Sequence, residues 1–239
     1  MVLIDLLIKE RWLKTPRIIE AFKKIKRVDF LPARQNFALQ NLGGPEEMQD
    51  LAEMNEALPI GYGQTISQPL VVAFMLELLE PRPGDRILDV GSGSGWTTAL
   101  LAYCVSREGN SRSETLNPKQ IQNSKLKIQN GKVIAIEIIP ELKEFGEKNV
   151  SKYNFIKKGV AEFACADGSK GFEKEAPFDK ILASASARNL PPAWKEQLKI
   201  GGRIVTPIGN SIWLFVKKSE NEFDEIEHPG FAFVPLIEK

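Results

Sequence analysis

The residues of this chain with the clearest chemical potential form a glycine-rich turn at 91–95, Gly-Ser-Gly-Ser-Gly. The turn follows an apolar run that ends in Asp89-Val90, and a helical pattern starts directly after it at Trp96. Glycine has no Cβ and readily adopts positive φ, so a ligand can approach the main chain closely at such a turn. The N-terminus of the following helix presents N–H groups that favour a carboxylate or a phosphate. The turn predicts a ligand site, and a turn that binds nothing is the alternative.

An acidic residue at the end of the next predicted strand extends this pattern. The strand covers 132–137 and ends in Glu137, whose carboxylate can accept hydrogen bonds from ribose hydroxyls. Such a residue usually follows the turn by about 20 residues, and an inserted polar loop at 108–129 explains the longer separation here. The spacing is not that of the dinucleotide fingerprint G-x-G-x-x-G, since Trp96 stands where its third glycine belongs.

A further acidic residue, Asp167, follows the predicted strand at 161–166 and precedes Gly168. Ligands of open parallel sheets bind at the carboxyl ends of the strands. The glycine turn, Glu137 and Asp167 are therefore predicted to meet at one edge of a sheet. Capping of a following turn is the alternative role of Asp167.

Hydrophobic periodicity predicts an α/β protein with a helical N-terminal part. Helices are predicted there at 4–13, 16–25 and 46–53, followed by an irregular segment at 58–67 and a helix at 68–79. Strands are then predicted at 86–90, 132–137, 161–166, 178–183, 202–207, 211–217 and 231–236, and helices at 96–106, 140–153 and 191–198. Such alternation predicts a parallel sheet with both faces covered by helices.

Composition limits the class of protein. The 239 residues are 43% hydrophobic, enough for one substantial core, and the net charge of +1 gives no general attraction for nucleic acid or membrane. The apolar start at 1–8 is too short for a signal sequence or a membrane-spanning helix. Cys104 and Cys165 lack metal-binding spacing and are predicted to be buried. We therefore expect a cytoplasmic protein with no metal site and with neither nucleic acid nor membrane as partner.

The segment at 58–69, Leu-Pro-Ile-Gly-Tyr-Gly-Gln-Thr-Ile-Ser-Gln-Pro, resembles the signature of the protein-L-isoaspartate (D-aspartate) O-methyltransferase family. The glycine turn is similar to that of the class I methyltransferases, which use S-adenosyl-L-methionine and include this family. Further segments resemble the family at 72–79, 176–181, 197–203 and 233–236. The resemblance covers most of the chain outside 33–55 and 108–129.

The resemblance implies a fold. It predicts a doubly wound, Rossmann-like class I methyltransferase fold of the α/β class, with a mostly parallel seven-stranded sheet whose last strands pair antiparallel and with helices on both faces. We expect a single methyltransferase domain over 1–239. Within it, 1–57 would be an N-terminal helical and loop extension, 58–239 the catalytic core, and 108–129 the inserted loop.

The resemblance also implies a reaction. It predicts a monomeric protein repair enzyme that moves a methyl group from S-adenosyl-L-methionine to the free α-carboxyl of L-isoaspartyl residues in damaged proteins or peptides. A carboxylic acid with a pKa of about 4 is already ionised at neutral pH, so no general base is needed. The one histidine of the sequence, His228, is accordingly predicted to be an exposed loop residue without a catalytic role.

Motif positions imply roles for single residues. Ser67 matches the family's active-site serine and is predicted to orient the acceptor carboxylate through a hydrogen bond, with helix capping as its alternative role. The residues predicted to bind the cofactor are Thr65, Ile66, Asp89, Gly91, Ser92, Gly93, Gly95, Glu137, Ile138, Asp167 and Gly168.

Each part of the cofactor is assigned to a part of this set. The glycine turn would enclose the methionine end, and Asp89 would orient its ammonium group directly or through a water molecule. Glu137 would hold the ribose. Asp167 and Gly168 would meet the edge of the adenine, and Ile138 would add an apolar contact.

Two segments that would border the acceptor depart from the family pattern. Glu53 and Asn55 stand where the family usually has an aromatic residue and an aspartate, and 183–188, Ala-Ser-Ala-Ser-Ala-Arg, lacks the usual run of alanines that ends in proline. A methyltransferase with a different small-molecule or protein acceptor, or a catalytically silent protein-binding relative, is therefore an alternative. Trp96 and the lack of an evident proton-donating His or Tyr set disfavour an NAD-dependent oxidoreductase.

Overall fold

The structure, a computed structural model, describes residues 3–32, 45–107 and 131–238. The predicted insertion at 108–129 lies outside the described residues. Within the described ranges, no helix is both long and apolar enough to cross a membrane.

The helices begin where the sequence supplies residues suited to a helix start. Proline stands in the first turn of several of them, where its fixed φ suits a helix and its missing N–H needs no partner. The helices are α1 (Leu3–Lys9), α2 (Pro16–Lys24), α3 (Pro45–Ala52), α4 (Pro69–Leu79), α5 (Trp96–Val105), α6 (Pro140–Ser151) and α7 (Pro192–Gln197), and short 3-10 helices occupy Arg27–Phe30, Gly168–Lys170 and Glu173–Glu175.

The strands form a small hairpin and one large sheet. The strands are β1 (Leu58–Gly61), β2 (Gln64–Ile66), β3 (Arg86–Val90), β4 (Lys132–Glu137), β5 (Ala161–Cys165), β6 (Phe178–Ala183), β7 (Leu198–Ile208), β8 (Ser211–Lys217) and β9 (Phe223–Pro229). β1 and β2 pair antiparallel, and the seven-stranded sheet has the order β5-β4-β3-β6-β7-β8-β9. Pairing is parallel from β5 through β7 and antiparallel for β7–β8 and β8–β9. The predicted sheet is confirmed.

The strand order reverses at the middle of the sheet. From β3 the chain proceeds outward through β4 to β5, then returns to place β6 on the opposite side of β3. Open α/β sheets bind ligands at the carboxyl ends of the strands beside such a switch point. The topology therefore places the candidate site next to the carboxyl ends of β3 and β6.

Successive residues of the central strands point their side chains to opposite faces of the sheet, and both sets of side chains are buried. Ile87, Val133, Leu182 and Val205 belong to a core shared with α1, α2, α4, α5 and α6, whereas Leu88, Ile134, Ile181 and Ile204 belong to a second core that includes Trp194 of α7. Both faces are thus covered, as expected for the doubly wound class.

The last predicted strand, at 231–236, is wrong. The seventh strand is β9, and the segment after it forms a tail that adds no strand to the sheet. The tail contacts the fold through an isolated bridge between Pro235 and Ser186 and through the hydrogen bond from the N–H of Phe231 to the carbonyl of Asn210. β9 lies at the edge of the sheet and exposes most of its acidic side chains. It therefore lacks the apolar alternation by which a strand is recognised in sequence. The segment 58–67, predicted to be irregular, contains the β1–β2 hairpin.

Two side chains also differ from their predicted exposure. His228 is not an exposed loop residue: it lies in β9, paired with Ile212, and its ring packs edge-on against Phe74 with 5.0 Å between centroids. Cys104 is buried as predicted, but Cys165 is exposed because it ends β5, the strand at the other edge of the sheet.

Candidate active site

A cavity of about 370 Å³ opens at the switch point of the sheet. Its walls come from the segment after β1, the glycine turn after β3, the ends of β4 and β6, and the C-terminal tail. The predicted site residues that line it are Thr65, Ile66, Ser67, Gly91, Ser92, Gly93, Glu137, Ile138 and Gly168. Asp89, Gly95 and Asp167 are not among the residues that line it.

The glycine turn shapes the wall of the cavity, but two of its N–H groups donate hydrogen bonds within the protein. Gly91 and Gly93 have φ values of +77° and +49°, which glycine adopts without strain. The N–H groups of Gly91 and Ser92 donate to the carbonyl of Ile136 at 2.9 and 3.1 Å, so they serve the fold and not a ligand. Gly91 and Ser92 precede the helix start at Trp96, and their N–H groups are not free to bind a ligand. Ser92 lines the cavity, and its buried hydroxyl has no hydrogen-bond partner among the described residues.

Gly95 serves helix packing and does not line the cavity. A Cβ at Gly95 would lie 2.7 Å from the carbonyl oxygen of Gly146 and 2.9 Å from a methyl group of Val150, both on α6. Its φ of +83° is also unfavourable for a side chain. The prediction that Gly95 binds the cofactor finds no support in this placement, because its requirement for glycine comes from the approach of α6.

Glu137 holds the glycine turn and the start of α6 together. Its Oε2 accepts from the N–H of Gly93 at 2.9 Å, and its Oε1 accepts from those of Ile138 and Ile139 at 2.9 and 3.1 Å. A carboxylate has about four acceptor positions, so these bonds leave about one for a ligand hydroxyl. Glu137 is also the one charged side chain among the described residues that line the cavity.

Asp89 is fully buried behind the cavity wall. Its Oδ2 accepts from the hydroxyl of Thr98 at 2.6 Å, while its Oδ1 has no partner among the described residues. Burial raises the pKa of Asp89 to about 7, opposed by the Thr98 hydrogen bond and assisted by the negative charge of Glu137. A direct contact of Asp89 with the ammonium group is not supported by this position, since Asp89 does not line the cavity. Orientation of the ammonium group through a water molecule stays a prediction.

The raised pKa of Asp89 predicts a pH-dependent stability. In the unfolded chain this carboxyl loses its proton near the ordinary aspartate pKa of about 4, whereas the folded protein keeps it to about pH 7. The contribution of this group is therefore fully present below about pH 4 and is lost as the pH rises through about 7. We expect Asp89→Asn, which cannot ionise, to gain melting temperature relative to the wild type between those limits, with Asp50→Asn on the exposed side of α3 as control. A difference in melting temperature that does not change with pH would contradict this assignment.

Asp167 caps the 3-10 helix that follows it. Its Oδ1 accepts from the N–H of Ser169 at 3.0 Å and from its hydroxyl at 2.6 Å, and Lys170 lies 3.4 Å from Oδ2. The capping alternative is thus confirmed, and the adenine contact of Asp167 stays a prediction. Gly168 does line the cavity, where a Cβ would lie 2.4 Å from a methyl group of Val90.

Ser67 lines the cavity without capping α4. The cap position is Gln68, and the N–H of Leu70 donates to Oδ1 of Asn55 at 3.0 Å. The hydroxyl of Ser67 makes no hydrogen bond with the described residues, so the capping alternative is not realised. Its carbonyl accepts from Arg27 at 3.2 Å.

The cavity has one wall that residue-level reasoning missed. The tail at 232–237 lines it, held by the N–H of Ser186 to the carbonyl of Val234 and the N–H of Leu236 to the carbonyl of Ser186, both 2.8 Å. The apolar run Phe233-Val234 is typical of a strand, and only the resemblance at 233–236 pointed to a role for it. Asn55, which the sequence marked as a departure, supplies the cap of α4.

The chain matches a family model over its whole length. Residues 1–239 match the model described as protein-L-isoaspartate(D-aspartate) O-methyltransferase. Among curated relatives, the protein-L-isoaspartate O-methyltransferase of Methanopyrus kandleri is 36% identical over 230 residues, which cover 95% of this chain and 85% of the relative. That of Pyrococcus abyssi is 35% identical over 233 residues and 95% of both chains.

Solved structures share the fold. A Plasmodium falciparum protein described as a protein-L-isoaspartate O-methyltransferase, in complex with S-adenosyl-L-homocysteine, superposes with a TM-score of 0.76 at 20% identity, over 99% of this chain and 97% of that chain. A second protein-L-isoaspartate O-methyltransferase gives a TM-score of 0.75 at 23% identity, over 98% of this chain and 64% of that chain.

Proposed function

Since this chain belongs to the protein-L-isoaspartate(D-aspartate) O-methyltransferase family, we propose that its cavity carries out the family's repair reaction. It is an enzyme that uses S-adenosyl-L-methionine to methylate the free α-carboxyl of L-isoaspartyl residues in damaged proteins. The observation that carries the proposal is the meeting of Ser67 and the glycine turn in one cavity. The two motifs are separate in sequence, and the fold joins them.

The residues of the cavity fit the cofactor. The buried hydroxyl of Ser92 lacks a partner among the described residues, and Glu137 keeps about one acceptor position. Ile136, Ile138 and Ala166 offer an apolar wall for a flat ring. The described lining includes no Lys or Arg that would repel a positive charge. Ser92 and the glycine turn would therefore hold the methionine end, and Glu137 the ribose.

The acceptor end of the cavity is neutral. Ser67, Gln64 and Gln68 line it together with the apolar tail at 232–237. S-adenosyl-L-methionine supplies a methyl carbon activated by its positively charged sulfur. Because an isoaspartyl carboxylate is already ionised at neutral pH, these side chains need only orient it and exclude water, and correct orientation can supply about 7–11 kcal/mol. A lysine or arginine here would form an ion pair with the acceptor carboxylate and lower its reactivity toward the methyl group.

The product of the transfer is a methyl ester at the isoaspartyl residue. The neighbouring backbone nitrogen then attacks the ester carbonyl, and methanol leaves with the proton of that nitrogen. A succinimide remains, and part of it opens with water to a normal aspartyl residue. These later steps require no group of the enzyme. We further propose that the protein acts as a monomer, since one chain supplies every described wall of the cavity. We also propose that it acts in the cytoplasm, since its two cysteines are free, as suits a reducing compartment.

Transfer of a radiolabelled methyl group to synthetic peptides tests the proposal. A peptide with one L-isoaspartyl residue is expected to accept label that is released as methanol by mild base, and the same peptide with L-aspartate is expected to accept little. Label on both peptides, or on neither while S-adenosyl-L-homocysteine still binds, would refute isoaspartyl repair and favour another acceptor. Absence of S-adenosyl-L-homocysteine binding would favour a catalytically silent relative.

A further inference from the structure

Arg27 is a buried cation that joins the N-terminal extension to the loop of Ser67. It is only 7% exposed. Its Nη1 donates to the carbonyls of Ala52 and Met54 at 3.3 and 3.0 Å, and its Nη2 donates to those of Glu56 and Ser67 at 2.6 and 3.2 Å. One guanidinium thus binds several carbonyls of the turn after α3 and also the carbonyl of Ser67, at the acceptor end of the cavity.

The turn after α3 also binds the residues that directly follow Ser67. Asn55 lies within that turn, and its Oδ1 accepts from the N–H of Leu70 at 3.0 Å while its carbonyl accepts from Nε2 of Gln68 at 2.9 Å. Ser67 is therefore fixed at its own carbonyl by Arg27 and at the following residues by Asn55. A shift of this turn would move the main chain of Ser67 with it.

Arg27 also contacts the glycine-turn side of the cavity. Its guanidinium lies over the ring of Trp96, 5.4 Å from the centroid, and Trp96 is the first residue of α5 after the turn. Trp96 lines the cavity, whereas Arg27 does not. Burial lowers the pKa of Arg27 to about 10, so the group stays charged at neutral pH. A lysine ammonium could keep a cation over the ring, but it lacks the planar fork that reaches several carbonyls at once.

We propose that Arg27 is a positioning residue for methyl transfer, which sets the main chain of Ser67 relative to the glycine turn. The inference rests on the proposed function and extends it to a residue outside the cavity, in the N-terminal extension. The hydrogen bonds from the guanidinium to main-chain carbonyls hold the loop of Ser67. The contact with the ring of Trp96 fixes the position of that loop relative to the cofactor side of the cavity. Loss of the fork should therefore impair transfer far more than cofactor binding.

The chain offers a matched control in Arg17. This arginine of α2 is also partly buried, lies over an aromatic ring (Tyr103, 5.5 Å) and donates to main-chain carbonyls, those of Cys104 at 2.7 Å, Tyr103 at 3.0 Å and Ser106. These carbonyls are at the far end of α5, and none of these residues lines the cavity. Arg17→Lys removes a similar set of guanidinium hydrogen bonds from the same extension and leaves the contacts of the Ser67 loop unchanged.

The test compares Arg27→Lys with Arg17→Lys in the full-length protein, at a temperature where circular dichroism shows both to be folded. We expect Arg27→Lys to lower kcat/KM for the isoaspartyl peptide by about tenfold or more, since small misplacements have such effects. Its dissociation constant for S-adenosyl-L-homocysteine should stay near the wild-type value, and Arg17→Lys should keep wild-type kcat and KM. Equal losses in the two variants, or a loss explained by weaker cofactor binding, would overturn the proposal.

Two further outcomes are decisive. Arg27→Gln keeps an amide donor and is the second variant; if neither Arg27 variant folds while Arg17→Lys does, the role of Arg27 is structural and the proposal fails. A wild-type protein that binds S-adenosyl-L-homocysteine but methylates no isoaspartyl peptide would refute the proposed function instead, before any variant is compared.

Discussion

The Glu137→Gln variant is expected to bind S-adenosyl-L-homocysteine about 10- to 100-fold more weakly than the wild type. The carboxylate has room for about one ligand hydroxyl, and a hydrogen bond to a charged group contributes about 1.5–3 kcal/mol, which corresponds to that range of affinity. The amide adds a conflict within the protein. Its NH2 group would face either the N–H of Gly93 or those of Ile138 and Ile139, and two donors cannot pair.

Titration calorimetry measures this effect directly. Glu141→Gln is the control, because Glu141 is an exposed carboxylate in the first turn of α6 and does not line the cavity. We expect Glu141→Gln to bind like the wild type. If the two variants bind S-adenosyl-L-homocysteine equally well, the carboxylate of Glu137 does not hold the ribose.

The Ser67→Ala variant is expected to show the opposite pattern. Its kcat/KM for an isoaspartyl peptide should fall about 10- to 100-fold, because one hydrogen bond to a charged acceptor is lost and the carboxylate is less well oriented. Cofactor affinity should stay near the wild-type value. Because Asn55 and not Ser67 caps α4, the melting temperature should also be unchanged, whereas loss of a true N-cap costs about 1 kcal/mol.

The matched control for Ser67 is Ser186→Ala. Ser186 lies in the loop after β6, its hydroxyl donates to the carbonyl of Gly209 at 3.4 Å, and it does not line the cavity. We expect near-normal transfer from this variant. A Ser67→Ala protein that transfers methyl groups normally, or that loses stability and cofactor affinity instead, would remove Ser67 from the reaction.

The parts of the fold that bury apolar side chains were predictable from sequence. The predicted ends of β3, β4, β6 and β8 coincide with the observed ones, because each is a run of apolar residues bounded by polar or turn-forming ones. β9 was not predictable in this way, since an edge strand with exposed acidic residues needs only main-chain pairing with β8.

The parts of the candidate site that belong to a motif of several residues were predictable from sequence. The parts inferred from the type of a single residue were less predictable. Asp89 near the end of β3, Gly95 in the turn and Asp167 after β5 are placed as site residues should be, and the fold also uses them for a Thr98 contact, for packing against α6 and for capping. Their contacts with the cofactor stay predictions. Local sequence does not show which way a buried carboxylate faces. The contact of Arg27 with the carbonyl of Ser67 joins residues 40 positions apart and follows only from the tertiary structure.

The most direct test of the central claim is a crystal structure of the protein with S-adenosyl-L-homocysteine. We expect the ligand in the cavity at the carboxyl ends of β3, β4 and β6, with a ribose hydroxyl in hydrogen-bonding distance of the Glu137 carboxylate. Its sulfur should face the hydroxyl of Ser67, with room between them for a carboxylate oxygen about 3–3.5 Å from the transferred methyl group. An empty cavity, or a sulfur turned away from Ser67, would show that methyl transfer does not take place between this cavity and Ser67.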